Sequence, residues 1–323
     1  MKMSTMICLI VATSLIALGV ILFVLGISLT GFNISGGLFS AVSYDTVTYD
    51  ITDDFDSISI NTTTADIAIL PSDDDTAHVV CFDNEKLAYT VDVTDGTLDV
   101  EVKDNRRWFD HLGIVNTDTP TLSVYLPSEE YEALSIDLST GDVRIEEFTF
   151  SSINIEVTTG DVECLASSKG ELNIHATTGD IGISGASAGS INLKTTSGDV
   201  NIFEISCEGD VAIKTTTGRS VLTNTNCKNL TIDSGSGASK MKNVIAAETI
   251  VIDKTTGDVD FLACDAAELN IKVTTGDVEG TLLTEKVFIT HTTTGDIEVP
   301  RSTSGGICEI TTTTGDIDIE IVN

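Results

Sequence analysis

This chain has little of what catalytic, metal-binding and nucleic-acid-binding domains are built from. Its 323 residues include one tryptophan, four histidines and 17 lysines plus arginines, set against 50 aspartates plus glutamates, for a formal net charge of −33. Such a surface repels phosphates and speaks against a nucleic-acid partner. Anionic headgroups are poor partners for the same reason, whereas cations and cationic surfaces suit it. The seven cysteines (Cys8, Cys81, Cys164, Cys207, Cys227, Cys264 and Cys308) contain no CxxC and no Cys/His zinc spacing. The Gly-Gly-x-Gly-x-Asp phrase of calcium-binding solenoids is missing too. The pattern calls for no cofactor.

What the chain has instead is a repeat. Ser/Thr-Thr-Gly-Asp recurs with its glycines at Gly141, Gly160, Gly179, Gly198, Gly218, Gly237, Gly257, Gly276, Gly295 and Gly315, in steps of 19 or 20 residues. Seven and five residues before each Gly stand apolar pairs such as Ile153 and Ile155. Two and four residues after it stand others, such as Ile181 and Ile183. Period-two alternation on both sides of a turn marks two short half-buried strands, and the β-branched residues suit them. A third, weaker pair follows, as in Phe148 and Phe150 or Ala186 and Ala188. Three inward faces per repeat predict a coil of roughly triangular section.

Such strands satisfy their backbone groups only by stacking on the next coil. The expected fold is therefore all-β: a parallel β-helix (β-solenoid) of about 19–20 residues per coil, ten coils over residues 134–323, wound right-handed. At about 4.8 Å per coil it makes a rod on the order of 50 Å long.

Upstream, Met6 to Leu29 is an uncharged apolar run, long enough for one membrane-spanning helix. It exceeds the roughly 7–15 residues of a secretory signal, so residues 1–30 read as a retained transmembrane signal-anchor. Lys2 is the sole basic residue before Lys86, which orients the N-terminus to the cytoplasm and the rest to the outside. Residues 31–56 read as a stalk. Ile58, Ile60, Ala65, Ile67 and Ile69 repeat the coil phrase with Ala in the Gly slot, making a first coil at the N-terminal end. Within 57–133 the rest reads as antiparallel hairpins capping that coil, with a turn at Thr94-Asp95-Gly96-Thr97 and Trp108, Arg106, Arg107 and His111 in a loop. No comparable cap follows Ile317, Ile319 and Ile321, so the last coil reads as bare, guarded by Asp316, Asp318 and Glu320.

Stacking turns repeat positions into rows. The residue after Gly gives Asp142, Asp161, Asp180, Asp199, Arg219, Ala238, Asp258, Asp277, Asp296 and Asp316. The favoured reading is that these carboxylates cap turn amides while the Ser/Thr pairs bond backbone or each other. The sharper reading is cation binding between stacked carboxylates, with Asp142, Asp161, Asp180, Asp199, Asp258, Asp277, Asp296 and Asp316 as metal candidates. Arg219 breaks the row beside Asp199 as an internal counter-charge. Four residues before Gly, Asp137, Glu156, His175, Lys194, Lys214, Asp233, Asp253, Lys272 and His291 form an outward, partly charge-matched row. Cys207 and Cys227 stack in adjacent coils, where a disulfide is conceivable. Buried free thiols are the favoured state for the set.

At Ser135–Asp142, Asn154–Asp161 and their successors, the chain resembles a bacterial putative-adhesin family of unknown function. The resemblance covers about 57–323. It implies an extracytoplasmic β-solenoid behind a membrane segment, sometimes linked to envelope-stress systems, and carries over no binding residues. The expected function is a non-enzymatic, membrane-tethered adhesin, scaffold or envelope-sensing accessory with a protein or glycan partner on the cell surface. A carbohydrate-active β-helix enzyme is the alternative. The uniform repeats, without long loops after 134, count against it. Ice binding ranks lower still, because the paired Thr residues approach a turn rather than lie along a flat strand.

Overall fold

In the computed structural model, each repeat glycine turns the first corner of a coil with φ between 118° and 153°, a region closed to side chains. Space forbids a side chain as well. A Cβ at any of these ten positions would lie 1.8–2.3 Å from the carbonyl oxygen of the corner residue in the adjacent coil. Backbone thus packs directly on backbone along the whole corner. The amide ladder continues through it: the Gly160 N–H donates to the Thr178 carbonyl at 2.9 Å, and the Val162 N–H to the Asp180 carbonyl at 2.9 Å.

The structure describes residues 45–74, 76–83, 87–104 and 121–322, and these contain strands and no helix. The N-terminal strands are β1 (Asp45–Ile51), β2 (Ser57–Thr64), β3 (Asp66–Pro71), β4 (Ala77–Asp83), β5 (Leu87–Thr94), β6 (Thr97–Asp104), β7 (Thr121–Leu126), β8 (Glu130–Thr140) and β9 (Val143–Ile145). The regular coils follow as β10 to β19: Thr149–Thr159, Val162–Cys164, Ser167–Thr178, Ile181–Ser184, Ser187–Ser197, Val200–Cys207, Asp210–Thr217, Ser220–Ser236, Ser239–Thr256 and Val259–Cys264. The C-terminal strands are β20 (Glu268–Thr275), β21 (Val278–Leu282), β22 (Lys286–Thr294), β23 (Ile297–Glu298), β24 (Gly306–Thr314) and β25 (Ile317–Ile321).

Pairing from coil to coil is parallel and in register. Ile153 faces Leu134 on one side and Leu172 on the other. In the regular coils the predicted inward positions are buried, as with Ile153 and Ile155 before the corner, Val162 and Cys164 after it, and Phe148 and Phe150 on the third side; in the end layer Ile297, predicted inward, is exposed. Burying one such aliphatic side chain stabilises by about 1.5–3 kcal/mol. A second corner uses a different device. Gly185, Glu204, Asn224, Asn243 and Ala263 stack there with φ of 52–65°. Asn tolerates this conformation best among residues with side chains. The Asn243 Nδ2 donates to Asn224 Oδ1 at 2.9 Å.

At both ends the order in space departs from the order in sequence. The β2–β3 coil is not terminal as expected. It carries β8 and β9 on one side and β6 and β7, also parallel, on the other. β6 and β7 therefore supply another layer of the stack as well as hairpin strands. Outside that layer lie antiparallel strands: β5 on β6, and β4 on β7 with β1 beyond. β1 also corrects the linker assignment of 31–56, since 45–51 is sheet. The β5–β6 turn has the expected Asp95–Gly96 pair, with φ of 49° and 79°, which suits a tight two-residue hairpin.

At the other end, β24 pairs with β20 on one side and β22 on the other, and β25 lies between β21 and β23 in the same way. The last coil in sequence is thus inserted between two earlier ones. The bare final coil expected at Ile317 to Ile321 is replaced by β22–β23 as the end layer. Asp316, Asp318 and Glu320 are interior to the stack rather than guards of its edge.

The predicted anchor (residues 1–30), the stalk up to 44 and the Arg106–Trp108–His111 loop lie outside the described residues. Among the described residues no helix is long and apolar enough to cross a membrane.

A Cβ at Gly179 would sit 1.9 Å from the Gly160 carbonyl oxygen at a φ of 140°. Gly179→Ala is expected to cost at least about 3 kcal/mol in denaturant unfolding. A change within about 0.5 kcal/mol would contradict the corner geometry.

Candidate functional site

The row after the glycines was the sharpest candidate in the sequence, and the structure gives seven of its eight aspartate carboxylates a backbone amide partner. Oδ1 of Asp142 accepts the Asp161 amide at 2.9 Å, Oδ1 of Asp161 accepts that of Asp180 at 2.7 Å, and Oδ1 of Asp180 accepts that of Asp199 at 2.7 Å. Asp258 takes the Asp277 amide at 3.0 Å, Asp277 that of Asp316 at 2.8 Å, and Asp316 that of Asp296 at 2.8 Å. Each coil's carboxylate therefore caps the next coil's corner amide, and the ladder follows the spatial order at the inserted coil. Charge-assisted bonds of this kind offset the repulsion between carboxylates one coil apart.

Arg219 interrupts the row as expected. Its backbone N–H reaches Asp199 Oδ1 at 2.7 Å, and its guanidinium reaches Oδ2 through Nε at 3.0 Å and Nη2 at 2.6 Å. These bonds hold the Asp199 carboxyl below its ordinary range. Among the described residues no group of three or more His, Cys, Asp or Glu converges as a metal ion requires. Seven of the eight candidate aspartates form a line of amide caps, and Asp296, in the end layer, supplies only its own amide to that line.

The Ser/Thr pairs before the glycines point outward. The hydroxyls that tie down backbone sit one position earlier and face inward: Thr195 donates to the Gly179 carbonyl at 3.1 Å, Thr312 to that of Gly276 at 3.2 Å and Thr292 to that of Gly315 at 2.9 Å. This inward column was missed in the sequence because Leu138, Val157 and Val273 fill it elsewhere.

The outward row is exposed and partly charge-matched, as in Lys214–Asp233 at 2.6 Å and Lys272–Asp253 at 3.8 Å. Exposed pairs of this kind contribute little stability. Beside it a shallow groove of about 550 Å³ runs across several coils. Asn154, Asn173 and Asn192 stack along it in register, flanked by Glu156, His175 and Lys194. It offers amide donors and acceptors at the coil spacing.

The comparisons with known proteins bear on this architecture. The model of the Toastrack DUF4097 family matches residues 55–219 and again 207–323. The chain belongs to the Toastrack DUF4097 family. No curated protein matches it. Among solved structures, a putative adhesin from Bacteroides fragilis NCTC 9343 is 14% identical, with 86% of this chain and 98% of that one covered and a TM-score of 0.42. A putative lipid binding protein from Parabacteroides distasonis ATCC 8503 is 16% identical, with 85% and 97% covered and a TM-score of 0.44. A putative adhesin from the same strain is 12% identical, with the same coverage and a TM-score of 0.48.

This Toastrack chain departs from its own repeat in three adjacent coils. Ser220 and Ser239 take the slot that holds Val or Ile elsewhere, and they face each other in register. Both are buried, and neither Oγ has a hydrogen-bond partner. Lys254 is 1% exposed, lies in register with Ser234, and donates through Nζ to the Gly237 carbonyl. Its long stem fills a corner that small side chains leave open. Burial pulls its pKa down to about 8. Cys164, Cys207, Cys227, Cys264 and Cys308 are buried free thiols, so Cys207 and Cys227 form no disulfide. Burial pushes Cys164, Cys227 and Cys308 up to about 12, so these thiols are inert near neutral pH.

Removing an amide cap with Asp161→Ala is expected to cost about 1 kcal/mol, whereas Asp161→Asn, which keeps an acceptor and sheds a charge, costs less. Neither is expected to respond to millimolar calcium in thermal melts. A calcium-dependent rise in the wild type that Asp161→Asn abolishes would contradict amide capping as the row's role.

A lysine whose folded pKa is depressed costs stability in full below about pH 8, and that cost fades as pH rises toward the ordinary 10.5. The wild type is therefore expected to gain stability relative to Lys254→Met across that window. A stability difference that stays flat with pH would contradict the burial of a charged lysine.

Proposed function

We propose that this Toastrack chain is a non-enzymatic, membrane-tethered extracytoplasmic rod that acts as an adhesin or scaffold through its side faces. The observation carrying this reading is the Asp-to-amide ladder. The most conspicuous set of carboxylates is engaged in corner capping, and a hydrolase would need a carboxylate pair free to act across a cleft. The chemistry left accessible is the outward groove, whose stacked Asn154, Asn173 and Asn192 suit hydroxyl-rich glycans or an extended peptide. The apolar run from Met6 to Leu29 supplies the tether in this reading, with Lys2 on the cytoplasmic side. A right-handed winding and an accessory role in envelope sensing belong to the same proposal. The relatives described as adhesins agree with it in kind.

The test is a glycan array probed with the chain lacking residues 1–30, with release of reducing sugars measured on every retained glycan. Retention without release is expected, weakened by Asn173→Ala. Steady accumulation of reducing ends would contradict the non-enzymatic reading and favour the carbohydrate-active alternative.

A further inference from the structure

The two ends of the stack are unlike. At the N-terminal end, β6 is covered by antiparallel β5, and β7 by antiparallel β4. At the other end, β22 and β23 pair with β24 and β25 on one side, and among the described strands nothing pairs with their outer edge. That edge shows an opened core. Ile297 is 43% exposed, and Phe288, Ile297 and Val299 line a cleft of about 540 Å³ with Pro300 and Arg301 at its rim. On the outer face of the same strand Ile289 is 52% exposed, where the coils below place Glu309 and Asn270.

The strand itself is unguarded. Val287-Phe-Ile-Thr-His-Thr-Thr-Thr294 has no Asp, Glu, Lys, Arg or Pro and is rich in β-branched residues. Edges of soluble sheets normally carry charges, prolines or bulges that prevent pairing. An uncharged, β-prone edge beside an exposed apolar cleft is a template for another strand.

We propose that this end is a self-association surface on which two copies meet end to end, β22 antiparallel to its counterpart across a two-fold axis. The outermost strands at the opposite end, β1 and β5, carry the exposed Asp50 and Asp92, which guard their outer edges against head-to-tail stacking, so the second copy presents the same end. Such an isologous contact closes at two chains. Charge selects this face as well. The chain carries −33, yet the cleft at this end holds one acid, Glu298, beside one base, Arg301. The cleft rim carries both Glu298 and Arg301, so it complements its own two-fold-related copy in sign.

Sedimentation of the full chain in detergent tests this. A mass of two chains is expected, and Ile289→Lys and Ile297→Lys are each expected to raise the dissociation constant at least about tenfold. Both side chains are exposed in the single chain, so unchanged circular dichroism separates lost pairing from lost folding. Leu262→Lys, at a position 51% exposed in mid-rod, is expected to leave the dimer intact. The proposal is overturned if the full chain stays monomeric to about 100 µM. It is equally overturned by larger open assemblies, or by a dimer that survives Ile289→Lys and Ile297→Lys.

Discussion

The contact on which this molecule depends is backbone against backbone at the glycine corner. The strands on either side are two to eighteen residues long, and outside the end layer they bury one face each. They stack in register only if the chain turns at the same height in every coil. The corner provides that by removing the side chain: each glycine rests against the carbonyl of the corner below, and seven aspartates of the next row clamp the amide above. One residue sets the spacing and the next tightens it. The apolar columns follow, since a shift of one residue would turn every inward isoleucine to solvent.

Uniform corners make coils nearly interchangeable, which has consequences at the ends. The phrases at 286–299 and 306–321 are alike, and the sequence alone does not choose which lies against β20–β21. The structure places the later one there. Two glycines make room for it: a Cβ on Gly306 would lie 1.7 Å from the Ala267 carbonyl, and one on Gly305 1.8 Å from that of Glu285. Lys286, 3% exposed, then spans the inserted coil to reach Asp265 at 2.6 Å. Breaking such a buried pair from one side leaves an uncompensated charge, so the pair pins the end layer to the coil two below it. The interior polar spot of Ser220, Ser239 and Lys254 is another local departure from the repeat, and it lies in the coils where the aspartate ladder lapses at Arg219 and Ala238.

Much of this was legible beforehand. The period, the inward columns, Ala65 as a corner residue and the capping role of Asp161 and its neighbours all follow from local pattern and turn chemistry. What was not legible is non-local. Nothing in 97–126 or 306–321 says which coil it will lie against, because parallel stacking of similar strands is degenerate in sequence and is decided by linkers, glycines and one buried ion pair. The inward threonines at 195, 292 and 312 escaped notice because a hydroxyl in an apolar column reads as tolerance until its carbonyl partner is seen. Lys254 escaped for a related reason: a lone lysine at an inward position looks like a break in alternation rather than a space-filling stem.

The most direct test of this account is scalar coupling across hydrogen bonds, measured by NMR on isotopically labelled protein lacking residues 1–30. The account predicts coupling from the Gly160 amide nitrogen to the Thr178 carbonyl carbon, and from that of Gly276 to Thr314. Coupling of Gly276 to Thr294 would contradict the inserted final coil. Absence of any coupling between residues about one repeat apart would contradict the stacked corners altogether.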